Sequence, residues 1–485
     1  MPARHYRVSL LAGACVALLS NPLAAQGPVA VLDTAIARMG GAPALKGITH
    51  ARFEMMTMWQ RTVLDDRVHA DAPSFEWHSD LRDYTIGGWR NSRRFAAGAT
   101  WREATDLVRD SVAIRKAPGG PGGVAAPTVA AGIWSPLNIA YIDERDEAFT
   151  FAPERLLLAA REASDLRALP DTTIASAPQA RMSATVGRYP ATITINRATG
   201  MLTMARFHAL EDNDFGLVPF GDMEVEIWYS SWRRNQGGIS YPYQWDELRV
   251  GRPYKRTSLL SAQFAAPAPP DSFVVSDSLR GAYLATQRHP MHDIPLDSAK
   301  LVDGVFASFN TPGAPAGAVK LGHSWVLLES GQAPLSAERA VAWLGRADPG
   351  STVKAALVTL VAVGNGGSAW LAANGVAVHA GKGASQFVDA AIRGYKPLLH
   401  GKPSGVQVEL RGRWIRVDGD SLWVEPIDLP DMPGTLIAWA PSHGWMYSAA
   451  SASPMYRERM MVIAKARGWQ VTRIGGVSAV AAKVN

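Results

Sequence analysis

The sequence predicts a mixed fold in two halves, an antiparallel β-sheet half of α+β type followed by a layered α/β half. Three observations predict it. A chain of 485 residues exceeds one ordinary hydrophobic core, so two or more domains are expected. Up to about residue 265 the patterns read as strand after strand with turn signals between them. From Lys300 onward strand and helix patterns alternate, the grammar of a layered α/β domain. Hydrophobic residues make up 47% and charged residues 19%, which supplies cores and excludes a disordered or fibrous chain.

VLDTAIARMGGAPAL, Val31 to Leu45, spaces apolar residues as a helix does and meets Gly40-Gly41, a glycine stop. ARFEMMTMWQRT, RMSATVGRYPATITINRATGMLTMARFHAL, GDMEVEIWYSSWRR and GISYPYQWDELRVG read as strands. Turn signals RATG and NQGG divide them. APERLLLAAREASDLRAL, Ala152 to Leu169, is the one clear helix in this stretch, with Leu156, Ala159, Ala160 and Ala163 on one face. KAPGGPGGVAAPT, Lys116 to Thr128, reads as a loop, and AAPAPPDS, from Ala265, ends the strand region. SLRGAYLATQRHPMHDIPLD reads as a connector. Beyond it LVDGVFASF and SWVLLES are expected strands, LSAERAVAWLGRA a helix, and VKAALVTLVAV a buried strand. GSAWLAANG and SQFVDAAIRGY are expected helices, and VAVHA, VQVEL, RWIRVD, SLWVEPI and GTLIAWAP further strands. The resulting division is a leader at 1–26, a β-rich domain at 27–265, a linker at 266–299 and a second domain at 300–485.

The first residues carry Arg4 and Arg7, an apolar run from Val8 to Leu19, and small residues at Ala24 and Ala25. That order is the order of an export signal, so a periplasmic or secreted bacterial protein is expected. Cys15 lies midway along the apolar run, poorly placed for lipid attachment, and it is the only cysteine. The mature chain then has no disulfide, thiol nucleophile or cysteine-based zinc site. No later stretch reaches the length of a membrane span. The net charge is +6, and losing the two leader arginines leaves +4, with basic residues in small groups at Arg93-Arg94, Arg233-Arg234 and Arg411 to Arg416. Solvated faces account for these, and a nucleic-acid surface is not expected.

Candidate chemistry is sparse. Ser351-Thr-Val-Lys354 matches a serine-hydrolase S-x-x-K, but it leads into a strand where that chemistry needs a helix, and K-T-G and G-x-S-x-G are absent. His289, His292 and Asp293 in RHPMHD form the densest group of metal-ligand types, although a further ligand is not visible near them. His323, His379, His400 and His443 stand apart and read as surface or hydrogen-bonded histidines. Trp59, Trp77, Trp89, Trp101, Trp228, Trp232 and Trp245 either line an apolar ligand site or form the core and rim of a wide sheet.

Residues from about Lys300 to Asn485 resemble the metallo-β-lactamase superfamily. LVDGVFASF stands as its entry strand, and SWVLLESGQAPLSAERAVAWL as its strand, acidic loop and helix. VKAALVTLVAVGNGGSAWLAANGVAVHA stands where members have a strand, V-T-H-x-H-x-D-H, Gly-Gly, helix, Gly and strand, and DMPGTLIAWAPSHGWMYSAA where they have H-T-x-G, strands and Asp. The resemblance implies an αββα sandwich. It also places the metal ligands on Leu360, Ala362, Gly364, Asn365, Asp431 and Ala450 or a neighbour, and only Asp431 among these is a strong donor. Without zinc nothing lowers the pKa of an attacking water, so a metal-free pseudoenzyme with no cofactor is expected. The alternative is a zinc hydrolase with a relocated site drawn from His289, His292, Asp293 and Asp431. RMGGAPALKGITHARFEM, TITINRATGMLTMARFHA and GGISYPYQWDELRVG more faintly resemble the curved sheets of periplasmic lipoprotein-carrier domains, which implies an apolar small molecule or a protein as partner.

Overall fold

The computed structural model describes residues 27–59, 74–97, 100–116, 132–137, 139–211, 221–235, 237–249, 251–265, 268–287, 296, 298–309, 315–331, 334–360, 366–381, 384–385, 388–389, 391–392, 407–409, 414–427, 435–476 and 479–483. Helix α1 (Pro28–Met39) begins on a proline, whose missing N–H has no partner to lose in a first turn, and stops at Gly40 with φ of 132°. Its stripe Val31, Leu32, Ala35, Ile36 and Met39 is buried, each large side chain contributing roughly 1.5–3 kcal/mol. A short helix α2 (Ala42–Lys46) follows.

Thirteen described strands form one curved antiparallel sheet. They are β1 (His50–Trp59), β2 (Ser74–Asp83), β3 (Gly88–Ala97), β4 (Thr100–Arg109), β5 (Val112–Lys116), β6 (Trp134–Pro136), β7 (Arg167–Ile174), β8 (Ala177–Val186), β9 (Tyr189–Asn196), β10 (Leu202–Glu211), β11 (Gly221–Arg234), β12 (Ser240–Arg249) and β13 (Arg252–Phe264). The order runs β6 to β1, then β13 back to β7, so that β1 pairs with β13 at the centre. Between β6 and β7 the chain passes through α3 (Ala140–Thr150) and α4 (Pro153–Glu162). α4 packs with α1 and α2 on the apolar inner face of β8 to β11, where Met182, Ile193, Ala205, Phe207 and Val225 are buried. It ends at Glu162 rather than continuing to Leu169, because Arg167 already pairs with Ser183 as a strand residue.

The expected connector is partly built into this half. A 3-10 turn, Pro270–Phe273, and α5 (Asp277–Gln287) bury Phe273 and Tyr283 against Trp89, Leu107 and Val108. Gly88 is required there, since a Cβ would lie 2.9 Å from the Phe273 ring.

Residues beyond 300 form two further sheets. The first orders β14 (Lys300–Val302), β15 (Phe306–Ser308), β16 (Gly317–Leu321), β17 (Ser324–Leu328), β18 (Thr352–Val358), β19 (Ala377–Ala380) and β20 (Gln407–Glu409), parallel from β17 onward. LVDGVFASF, expected as one strand, is a hairpin: Asp303 and Gly304 both take positive φ and fold β14 onto β15. The second sheet orders β21 (Trp414–Val417), β22 (Asp420–Pro426), β23 (Leu436–Ala440), β24 (Trp445–Tyr447), β25 (Arg473–Gly476) and β26 (Ala479–Lys483). Val319, Val326 and Leu357 of one sheet meet Leu422, Val424 and Ala438 of the other in a shared core. Helices α6 (Pro334–Ala347) and α7 (Gly367–Ala373) cover one outer face, and α8 (Pro454–Arg467) the other. No helix among the described residues is long and apolar enough to cross a membrane.

Candidate functional site

Where the resemblance places metal ligands, the described residues build a closed hydrogen-bonded knot. Glu329 follows β17 and Thr359 follows β18, neighbours in the parallel ladder, so both side chains emerge at the same strand ends. The Thr359 N–H donates to both Glu329 carboxylate oxygens at 3.1 Å, and the Thr359 hydroxyl donates to Oε1 at 2.5 Å. From the facing sheet the Tyr447 hydroxyl donates to the same oxygen at 3.3 Å, while the Ala449 N–H donates to the Thr359 hydroxyl at 3.0 Å. Burial pushes the Glu329 carboxyl up to about 7 against these hydrogen bonds, and burial together with Glu329 raises the Tyr447 phenol well above its usual range. Glu329 holds this position with φ of 59°, a left-handed backbone uncommon for a non-glycine residue.

Leu360, at the first ligand position, is half-buried and carries no donor atom. Ala450, at the bridging position, is packed among Ile427, Ile437, Met446 and Tyr456. Ala362, Gly364, Asn365 and Asp431 lie outside the described residues, as do His289, His292 and Asp293. Among the described residues no three His, Cys, Asp or Glu side chains cluster as metal ligands. The described positions therefore do not fit zinc: two of them lack a donor, and the nearby carboxylate is bonded to the protein itself. The glycine pair has a packing role, since a Cβ on Gly367 would sit 1.8 Å from the Ser330 carbonyl oxygen.

The other candidates resolve structurally. Ser351 donates to the Asp348 carbonyl at 2.7 Å and accepts from the Trp325 indole at 2.9 Å, an anchor at the start of β18. His443 contacts the Lys320 carbonyl through Nε2 at 2.7 Å. His379 is buried on β19, and burial pushes it down to about 4.

A second polar locus lies on the inner face of the first sheet, where β2 carries Glu76, His78, Asp80 and Arg82 at every second position. Register sets His78 opposite Met55 and Arg93, and Glu76 opposite Thr57 and Phe95. Asp106 on β4 is held by Arg115 at 2.5 and 2.8 Å, with Arg93 at 3.4 Å. Arg115 also donates to the Tyr141 hydroxyl at 2.7 Å. On the neighbouring strands Glu247 accepts from Arg249 at 2.7 Å and pairs with Lys255 at 2.9 Å, and Lys255 lies over Trp59. Helix α3 crosses both groups, with Tyr141 on Arg115, Glu147 3.9 Å from Arg249, and Glu144 acting on both Lys255 and Tyr141. Burial lowers the His78 imidazole despite the attraction of Glu76.

Sequence reasoning missed this locus. The usable signal was SFEWHSDLRD, a strand whose alternate residues are all ionisable or polar on one face. The seven tryptophans do not share a face: Trp59 and Trp89 are buried, Trp228, Trp232 and Trp245 half-buried, and Trp77 and Trp101 are 45% and 52% exposed.

No protein-family model and no curated protein matches the chain. Among solved structures it is similar to an outer-membrane lipoprotein-sorting protein domain from Vibrio parahaemolyticus, at 8% identity and a TM-score of 0.29, over 50% of this chain and 95% of that one. A B3 metallo-β-lactamase with an active-site glutamic acid is similar at 15% identity and a TM-score of 0.27, over 40% of this chain and 82% of that one. MucB in its complex with MucA from Pseudomonas aeruginosa is similar at 14% identity and a TM-score of 0.17, over 51% and 61%. The two kinds of fold that the sequence resembles thus both occur among the similar structures.

Proposed function

We propose that the protein is an exported binding protein, with residues 27–265 taking an apolar ligand or a protein partner and residues 300–485 forming a non-catalytic, metal-free domain of metallo-β-lactamase-like αββα architecture. The observation that carries the reading is the Glu329 knot. A carboxylate at the mouth of an active site must face substrate or metal to do chemistry. Here it faces a backbone N–H, a threonine hydroxyl and a tyrosine hydroxyl, all within the protein. Leu360 and Ala450 leave two of the expected ligand positions without donors.

A ligand that binds only the folded state raises stability by RT ln(1 + [L]/Kd), about 2.7 kcal/mol at a hundredfold excess over Kd. Purified mature protein is expected to show no change in its melting curve at micromolar zinc and to leave nitrocefin and phosphodiester substrates intact. Tight stoichiometric zinc, or an activity lost to a chelator, would overturn the reading in favour of the relocated-site hydrolase. Export is tested separately, by N-terminal sequencing of secreted material, which is expected to begin near Gln26.

A further inference from the structure

The outer face of the first sheet keeps apolar side chains in solvent at one rim, where β1 and β3 end and β2 and β4 begin. Register sets Met58 opposite Phe75 and Met56 opposite Trp77. The first row continues through Ala96 to Trp101, and the second through Arg94 to Glu103. Phe75, Trp77 and Trp101 are 42%, 45% and 52% exposed, with Met56 and Met58 half-buried beside them. Strand alternation puts all of these on the face away from His78 and Asp80, so the buried charges of the inner face play no part here.

Arg94 gives this patch its charge. It stands directly across from Trp77, and its guanidinium lies over the Trp101 ring at 5.1 Å. Arg94 and Arg90, on the same face of β3, make no ion pair among the described residues, and neither does Glu103 on β4. Two free cations against one free carboxylate leave a positive excess, complementary to an anionic surface.

Exposed aromatic side chains gathered in one place mark a contact surface. Side chains left this open enclose nothing, so a small molecule here would keep most of its surface in water, whereas small-ligand sites bury most of theirs. A saccharide needs hydrogen-bonding groups among the rings, and the thioethers of Met56 and Met58 are only weak acceptors. A lipid surface asks for what is present: amphipathic rings at headgroup depth and a guanidinium fork for phosphate.

We propose that this rim docks on an anionic lipid surface, with Phe75, Trp77 and Trp101 seated among the headgroups and the Arg94 guanidinium on a lipid phosphate. Affinity then sums apolar burial and headgroup attraction. The inference goes beyond the ligand reading of the sheet, which would survive its failure.

The test is co-sedimentation of the purified mature protein with vesicles of phosphatidylglycerol and phosphatidylcholine in equal parts, and of phosphatidylcholine alone. Binding to the first is expected to be tighter by about fivefold or more and to weaken as salt rises. Trp77→Ser combined with Trp101→Ser is expected to lower it by about tenfold, at unchanged circular dichroism. Arg94→Gln is expected to lower binding to the anionic vesicles by about fivefold and to leave binding to phosphatidylcholine as it was. Val462→Ser, at an apolar side chain 63% exposed on α8, is the control and should change nothing. Lipid brominated on its acyl chains should quench the wild-type tryptophan fluorescence, which reads insertion without a variant. No vesicle binding, binding without quenching, or binding that either variant leaves intact would overturn the proposal. Self-association that the double variant abolishes, in the absence of vesicle binding, would overturn it in favour of a second copy on the same patch.

Discussion

On the first sheet Glu76, Arg93 and Arg115 keep 12%, 16% and 22% of their side-chain surface, whereas Glu329 in the second half keeps 1% of its residue surface. The first group consists of full charges held by other full charges across neighbouring strands. The second consists of one carboxyl held by neutral donors from two packed sheets. Charges that keep part of their surface in solvent are partly screened by water, while a carboxyl sealed between sheets serves as a fastener.

Breaking the charge lattice is expected to have the largest effect. Asp106 receives Arg115 and Arg93, so Asp106→Ala leaves two cations without their partner and should destabilise by about 3–5 kcal/mol in urea unfolding. A cost below about 1 kcal/mol would show that solvent already supports both arginines.

The fastener is read by pH. Glu329 has its folded pKa raised to about 7 from 4.5, so the folded state holds a proton that the unfolded state releases. Its stabilising contribution is complete below about 4.5 and is lost as pH rises to 7, a loss of roughly 3 kcal/mol. His379 runs the other way: with its pKa lowered to about 4 from 6.5, it favours the fold above 6.5 and loses that contribution as pH falls to 4. The two slopes offset each other in the wild type. Glu329→Gln should expose the histidine slope, with stability rising by roughly 3 kcal/mol from pH 4 to 6.5, and His379→Gln the opposite slope. Chemical denaturation at half-unit pH steps checks both, and a Glu329→Gln curve that stays flat would remove Glu329 as a titrating fastener.

Thr359→Val keeps the side-chain shape and removes the hydroxyl between Glu329 and Ala449. It should cost about 2 kcal/mol at neutral pH, and less at pH 5 where the carboxyl is protonated. Trp101→Ser marks the small end. Its indole is 52% exposed and lies under the Arg94 guanidinium at 5.1 Å, so stability should change by about 0.5 kcal/mol or less. A loss above about 2 kcal/mol would reveal a packing role for the outer face.

The sequence made legible whatever was written in apolar period. The stripe of α1 and the strands around TITINRATGMLTMARFHAL fold as their pattern reads. Helix α3 was illegible because its buried residues include Arg145 and Glu147, which no hydrophobic stripe marks. Helix α5 was hidden for a different reason: its neighbours read as a proline-rich exit and a histidine-bearing linker, and only the tertiary contacts of Phe273 and Tyr283 give the stretch a core. At the candidate sites, the missing donors at Leu360 and Ala450 could be read directly. Glu329 could be seen only as an acidic loop residue, because its partners Thr359 and Tyr447 lie 30 and 118 positions away.

The strand order of the first sheet has a kinetic consequence. β1 to β6 and β7 to β13 are two runs of locally paired strands, each able to zip from its own turns. The seam between them, Ala51 against Phe264 through Trp59 against Lys255, joins residues about two hundred positions apart. The seam cannot close until nearly all of the half has emerged, and its loop-closure entropy falls on a single step. Until then β1 and β13 both present open edges, the state in which strands of different molecules pair with each other. Refolding is therefore expected to slow and aggregate with rising protein concentration.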